Sequence, residues 1–165
     1  MNSIHASCVL FGGAGVLIRG ASGAGKSRLA HMVLMRAPAF GVEARLVADD
    51  RVLLRAEGGA LFARAPETIA GLLEVRGLGL VRFPHEAEAR LDLVLDLEPQ
   101  SAIPRLPDEA EALTCLEGVT LPRARCCTPE GSLDILLTLN GQSGAALSQP
   151  VSLASVRIDG KTKRP

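Results

Sequence analysis

Gly20-Ala21-Ser22-Gly23-Ala24-Gly25-Lys26-Ser27 is the stretch from which the rest of the chain is read. It satisfies the pattern G-x-x-x-x-G-K-[ST], a loop whose backbone N–H groups converge on a chain of phosphates. The glycines remove Cβ atoms that would hold the backbone away from a ligand. Lys26 adds a mobile point charge for the outer phosphates, and Ser27 offers a hydroxyl to Mg²⁺. Composition singles out the lysine. Lysine and arginine together number 18, yet the only lysines are Lys26, Lys161 and Lys163, and the last two lie in a polar C-terminal stretch. Elsewhere in the body, arginine carries the positive charge.

The flanking sequence supplies the context such a loop needs. Ile4 to Phe11 and Val16 to Arg19 are apolar, β-branched runs joined through Gly12-Gly13-Ala14-Gly15, which predicts a hairpin whose second strand feeds the loop. Lys26 to Arg36 predicts a helix with Leu29, Met32, Val33 and Met35 as its apolar face, stopped by Pro38. The loop then sits between a strand and a helix N-terminus, where the helix dipole favours an anion. Arg45 to Ala48 predicts a further strand ending in Asp49-Asp50. Arg51 to Ala56 and Ala60 to Ala65 predict a hairpin around Gly58-Gly59. Pro66 to Gly71 reads as a short helix or turn, Leu73 to Phe83 as a shaped loop with strand ends, and Leu91 to Leu97 as an alternating strand. Beyond residue 100, Pro99, Pro104 and Pro107 argue against long elements. Glu109 to Leu116 reads as a short helix, and Leu133 to Leu139 as either strand or helix. One domain over residues 1–140 and a poorly ordered tail over 141–165 are expected.

Composition narrows the function classes. The chain has 165 residues, no Trp, no Tyr and a formal net charge of zero, so its core is aliphatic and it lacks both a basic footprint and stacking platforms for nucleic acid. No run is long and apolar enough to span a bilayer, and the N-terminus does not read as a secretory signal, so a cytoplasmic location is expected. Cys8, Cys115, Cys126 and Cys127 form no C-x-x-C pair and read as reduced thiols used as small hydrophobes.

Phosphoryl transfer needs a metal ligand, a group to take the nucleophile's proton and positive charge for the transition state. Asp49 and Asp50 end a strand that follows the loop's helix, which brings them near the phosphates. One carboxylate can bind Mg²⁺ and the other can accept a hydroxyl proton; the alternative is a solvated Asp-Asp turn. Glu74 and Arg76, amid apolar residues, read alone as a salt-bridged pair. His5, before the first strand, reads alone as an ordinary surface or core histidine.

Taken together, His5, GVLIRGASGAGKS (Gly15 to Ser27), RLVADDRV (Arg45 to Val52), APE (Ala65 to Glu67) and LLEVRGLGLVR (Leu72 to Arg82) resemble the C-terminal catalytic domain of the bacterial HPr kinase/phosphorylase family. The resemblance implies an α/β fold: a P-loop nucleotide-binding core with a mixed β-sheet, related to the phosphoenolpyruvate carboxykinase type. It implies that the loop, Gly20 through Ser27, binds ATP, with Lys26 on the phosphates. Ser27 and Glu74 then hold Mg²⁺. Asp50, with Asp49 beside it, takes the proton of an acceptor serine on HPr, and His5 supports the acidic pair. It also implies homo-oligomers, hexamers in the family. The sequence departs from the family pattern at Arg28, where an acidic residue is common. It also departs at Leu121-Pro122-Arg123-Ala124-Arg125, the nearest stretch to a Pro-x-x-Pro-Gly-Arg segment that carries a catalytic arginine. The chain starts almost at the His motif, so the family's N-terminal domain is not expected, and the shortened C-terminal region resembles the truncated proteobacterial kinases. The expectation is therefore a serine kinase acting on HPr, with the reverse phosphorolysis left open by these departures. The alternative is a nucleotide-sensing module with little or no transfer, and a small-molecule kinase is the third reading.

Overall fold

Two glycines make the hairpin that builds the centre of the molecule. In the structure, a computed structural model that describes residues 2–106 and 108–142, β2 (Ser7–Phe11) and β3 (Ala14–Gly20) pair antiparallel. Gly12 and Gly13 link them with φ of 58° and 84°. A tight turn with positive φ at both central residues matches strand twist and suits glycine. β3 runs into the loop, and α1 (Lys26–Arg36) follows as the sequence predicts.

β4 (Ala44–Ala48) pairs with the outer side of β2, while β9 (Ala89–Leu97) lies parallel to β3 and β11 (Val119–Cys126) parallel to β9. β4, β3, β9 and β11 therefore run in one direction, and their carboxyl ends share one edge of the sheet. β1 (Asn2–Ile4), β5 (Val52–Glu57) and β6 (Ala60–Arg64) extend the sheet antiparallel from the start of β9 in the order β1-β5-β6-β9-β3-β2-β4, so the sheet is mixed and forks at β9. β7 (Leu72–Val75) and β8 (Gly79–Arg82) form a separate hairpin. Its base is tied to β4 through Leu46 N–H to the Pro84 carbonyl at 3.2 Å and Glu86 N–H to the Leu46 carbonyl at 2.8 Å.

Two aliphatic cores cover the two faces. Val16, Ile18, Leu93, Leu95 and Leu97 meet Leu29, Val33, Leu133 and Leu136 from the helices. Cys8, Leu17, Val47, Ala48, Leu54, Leu61, Val94 and Leu121 fill the other side. Burial there pushes the Cys8 thiol well above its ordinary range, in keeping with a cysteine used as a hydrophobe. Two bulges set which side chains face which core. An extra residue in β9 at Asp92 interrupts the alternation, so Leu91 faces one core and Leu93 the other. An extra residue in β4 at Val47 does the same, so Val47 and Ala48 both join the second core.

Several expectations are corrected. Met35 does not belong to the buried face of α1 and is 61% exposed; at 100° per residue it falls well away from the Leu29–Val33 stripe. Glu109 to Leu116 is not a helix. The reciprocal capping pair of a helix start does form, with Glu111 N–H to Asp108 Oδ1 at 2.7 Å and Asp108 N–H to Glu111 Oε2 at 3.2 Å. One turn later the chain becomes β10 (Leu113–Leu116), because Glu117 and Gly118, at φ 50° and 77°, turn it back onto β11. β11 itself, over a Pro122 that argues against a strand, is not expected from the sequence. The open choice at Leu133 to Leu139 resolves as helix α2 (Pro129–Gln142), capped by Thr128 Oγ1, which accepts the Gly131 N–H at 3.0 Å. α2 runs past the expected domain end at residue 140, and the rest of the expected tail, 143–165, lies outside the described residues.

Candidate active site

Strand order dictates where a ligand can bind. The loop leaves the carboxyl end of β3, Asp49 and Asp50 leave the carboxyl end of the parallel β4, and β2 lies between those strands. Gly25 ends the loop at φ 100°, and a Cβ there would come within 3.0 Å of Pro129 Cγ at the start of α2. The left-handed conformation favours glycine here, and a Cβ would also crowd Pro129. α1 begins at Lys26 with no side-chain cap and no acidic residue in its first turn. Its first N–H groups have no intrahelical acceptor and carry the positive end of the helix dipole, which is an anion site in outline.

Lys26 is buried, 5% exposed, and its Nζ donates to the carbonyls of Gly20 and Ala21, each at 3.0 Å. The ammonium closes the loop on itself. Burial lowers its pKa, while the negative charges of Asp49 and then Asp50 act against that shift. The two aspartates have different surroundings. Asp49 is 4% exposed and accepts a hydrogen bond from Ser7 Oγ at 2.5 Å. Asp50 is exposed, with φ 63°. Its neighbours close a γ-turn around it, Arg51 N–H to the Asp49 carbonyl at 2.7 Å. Such a left-handed centre is strained for a residue with a Cβ, and strain of this kind collects at functional sites. His5 Nε2 lies 3.3 Å from Asp50 Oδ1.

The structure thus brings together Lys26, Asp49, Asp50 and His5 around the loop residues Gly20 to Ser27. Glu74 stands beside this group, on β7, which packs against α1. That residue is exposed on β7, its neighbour Leu73 packs into the core against α1, and no described hydrogen bond or ion pair joins Glu74 to the loop. Among the described residues Glu74 and Arg76 do not form the ion pair that a bland reading expects.

Sequence reasoning misses two features. One is Ser7. The other is a charge cluster at the same sheet edge on the opposite face. Asp96, buried at the end of β9, accepts both Arg19 Nε and Nη2 at 2.7 Å and Arg123 Nε at 2.5 Å. Glu98 takes Arg123 Nη2 at 2.9 Å and Arg125 Nε at 2.7 Å, and Glu111 lies 3.4 Å from Arg125. Burial disfavours the charged form of Asp96, but the hydrogen bonds and charges of Arg19 and Arg123 outweigh it and hold its carboxyl below the usual carboxylate range. The signal is an alternation of charges: Asp96-x-Glu98 at the end of one strand and Arg123-x-Arg125 in its parallel neighbour. It becomes visible once β11 is known to be a strand.

The fold is a mixed α/β one, with a glycine loop running into an uncapped helix and an acidic pair on a parallel strand of the same edge. The chain belongs to the HPr Serine kinase C-terminal domain family, whose model matches residues 1–124. It is 39% identical over 135 residues to the HPr kinase/phosphorylase of Geobacillus thermodenitrificans (strain NG80-2), an overlap of 73% of this chain and 40% of that protein. It is 39% identical over 126 residues to the HPr kinase/phosphorylase of Geobacillus sp. (strain WCH70), covering 70% and 39%. The chain therefore spans about 40% of the length of these relatives. The Hpr(Ser) kinase/phosphatase from Coxiella burnetii superposes with a TM-score of 0.72 at 22% identity, over 87% of this chain and 97% of that one. That likeness is one of fold.

Proposed function

We propose that this chain transfers a phosphoryl group from ATP, with Mg²⁺, to a serine of the phosphocarrier protein HPr, on a phosphate-loop core of the phosphoenolpyruvate carboxykinase type. One observation carries the reading: the uncapped start of α1, the buried Lys26 and the Asp49–Asp50 pair meet at one sheet edge, in a family whose relatives bear the name HPr kinase/phosphorylase. The loop N–H groups and Lys26, released from the Gly20 and Ala21 carbonyls, hold the triphosphate. The acceptor serine Oγ attacks the γ-phosphorus in line with the β–γ bridging oxygen. One P–O bond forms, the bridging P–O bond breaks, and ADP leaves. The serine proton passes to Asp50, whose exposure makes it reachable for a protein substrate and whose carboxylate is oriented by His5. Positioning and electrostatics do most of the work in such a reaction.

The donors fit Mg²⁺. Ser27 Oγ has no protein partner among the described residues, and no group of three or more His, Cys, Asp or Glu side chains forms a protein cage. Mg²⁺ characteristically takes few protein oxygens and completes its shell with water and substrate phosphates. Ser27 and Glu74 would hold it, and when bound it supplies positive charge against the β- and γ-phosphoryl oxygens.

A second reading, nucleotide sensing with little transfer, is favoured by one observation. Arg123 and Arg125 are engaged by Asp96, Glu98 and Glu111, so that stretch offers no spare arginine for transition-state charge. For the same reason we propose the forward reaction alone. Assembly into hexamers and a cytoplasmic location are part of the proposal; among the described residues no helix is long and apolar enough to cross a membrane. Incubation with γ-labelled ATP, Mg²⁺ and purified HPr separates the readings. Label on an HPr serine supports the kinase. ATP binding without label supports the sensor. Label on a small molecule in a screen lacking HPr points to a small-molecule kinase.

A further inference from the structure

We infer that Ser7 is a positioning residue of the transfer site, acting through Asp49; the inference rests on the reading of the site as a phosphoryl-transfer centre. The β4 bulge is the first observation. β2 pairs Val9 with Leu46 but Cys8 with Ala48, so Val47 is an extra residue. Without it, strand alternation would send Asp49 to the face opposite Leu46. With it, Val47 and Ala48 both turn to the second core, and Asp49 returns to the face of Leu46 and α1. Ser7 shares that face, since it lies two residues from Val9, which belongs to the core beneath α1. The second observation is the contact itself. Ser7 is 0% exposed, Asp49 is 4% exposed, and the hydroxyl donates at 2.5 Å, at the short end of the range for a hydroxyl on an ionised carboxylate. Among the described residues no other side chain donates to Asp49. One hydroxyl therefore holds the buried Asp49 carboxyl in place, while Asp50 beside it is exposed.

A double-mutant cycle tests this in the full chain. Ser7→Ala is expected to lower kcat for HPr phosphorylation by about 10- to 100-fold, the usual scale for losing an outer partner that orients a site ligand. ATP affinity by calorimetry should stay within about twofold on this account, because the loop is untouched. In an Asp49→Asn background, Ser7→Ala should add no further loss. Ser7→Cys, which keeps the shape but weakens the donor, is read in the same way should the alanine variant fail to fold. Three results overturn the inference: a kcat near that of the parent chain, a rise in KM with kcat unchanged, or an equal loss in the Asp49→Asn background. Lys26→Ala serves as the control. Retained transfer in that variant sinks the reading of the site itself; an inactive Lys26→Ala beside a fully active Ser7→Ala removes only the role of Ser7.

Discussion

Two sets of charges occupy the same edge of the sheet, on opposite faces, and they are built by opposite rules. On the β9–β11 side, Arg19, Asp96, Arg123, Glu98 and Arg125 are matched, acid to base, by short hydrogen bonds. On the β4–α1 side, Lys26 donates, among the described residues, only to the carbonyls of its own loop, Asp50 sits in a strained turn with an exposed histidine, and the helix start is uncapped. A matched set satisfies its members and has nothing left to offer a ligand. An unmatched set holds groups ready to exchange protein or solvent partners for substrate. Both are rich in charge, so charge alone does not separate stability from chemistry; the difference lies in which groups already have partners.

Substitutions at the two sets should therefore fail in different ways. The largest effect is expected at Asp50. Asp50→Asn should lower transfer by about 10²- to 10⁴-fold, the range for losing a general base, while calorimetry still finds nucleotide bound. Retained transfer would move the base elsewhere. On the other face, Asp96→Ala leaves Arg19 and Arg123 without their shared carboxylate and should cost about 3–5 kcal/mol of stability, read by urea melts. This contribution depends on pH with a definite sign. The folded-state pKa of Asp96 is depressed, so its stabilisation is fully present above the unfolded value of about 3.9 and is lost as pH falls through the lower folded value. The stability gap between parent and Asp96→Ala should narrow below about pH 4. A gap constant down to pH 2 would contradict the role given to Arg19 and Arg123.

Lys26→Ala should lower turnover by about 10²- to 10³-fold without lowering the melting temperature, because burial already works against the lysine's charge. A melting temperature that falls along with activity would place Lys26 among the stabilising set and blur the contrast. The smallest effect is expected at Arg28, which pairs with Glu130 of α2 at 2.5 Å, with side chains 67% and 48% exposed. Removing an exposed pair costs at most about 1 kcal/mol, so Arg28→Ala should melt within a few degrees of the parent.

The unmatched set was largely legible in the sequence and the matched set was not. The loop, its hairpin and its helix are local. Gly12-Gly13 between β-branched runs, Gly25 at one end of α1 and Pro38 beyond the other each act within a few residues. Asp49 and Asp50 were found because they end an apolar strand. The region from Leu113 to Cys126 was lost because a genuine capping signal at Asp108 and Glu111 competes with strand pairing. Asp96 and Glu98, which hold Arg123 and Arg125, also lie at the end of another strand, 25 to 27 residues earlier. Ser7 was invisible for a third reason. A one-residue bulge at Val47 decides which face Asp49 occupies, and nothing in an alternating run announces a bulge.

The central proposal is that the glycine loop and Lys26 bind a Mg²⁺–triphosphate beside the acidic pair, and titration calorimetry addresses it directly. ATP with Mg²⁺ added to the full chain should release heat with saturable, one-to-one binding, sharply weakened in Lys26→Ala. Absence of binding heat in the parent chain at several temperatures, or equal affinity in parent and Lys26→Ala, would contradict the account.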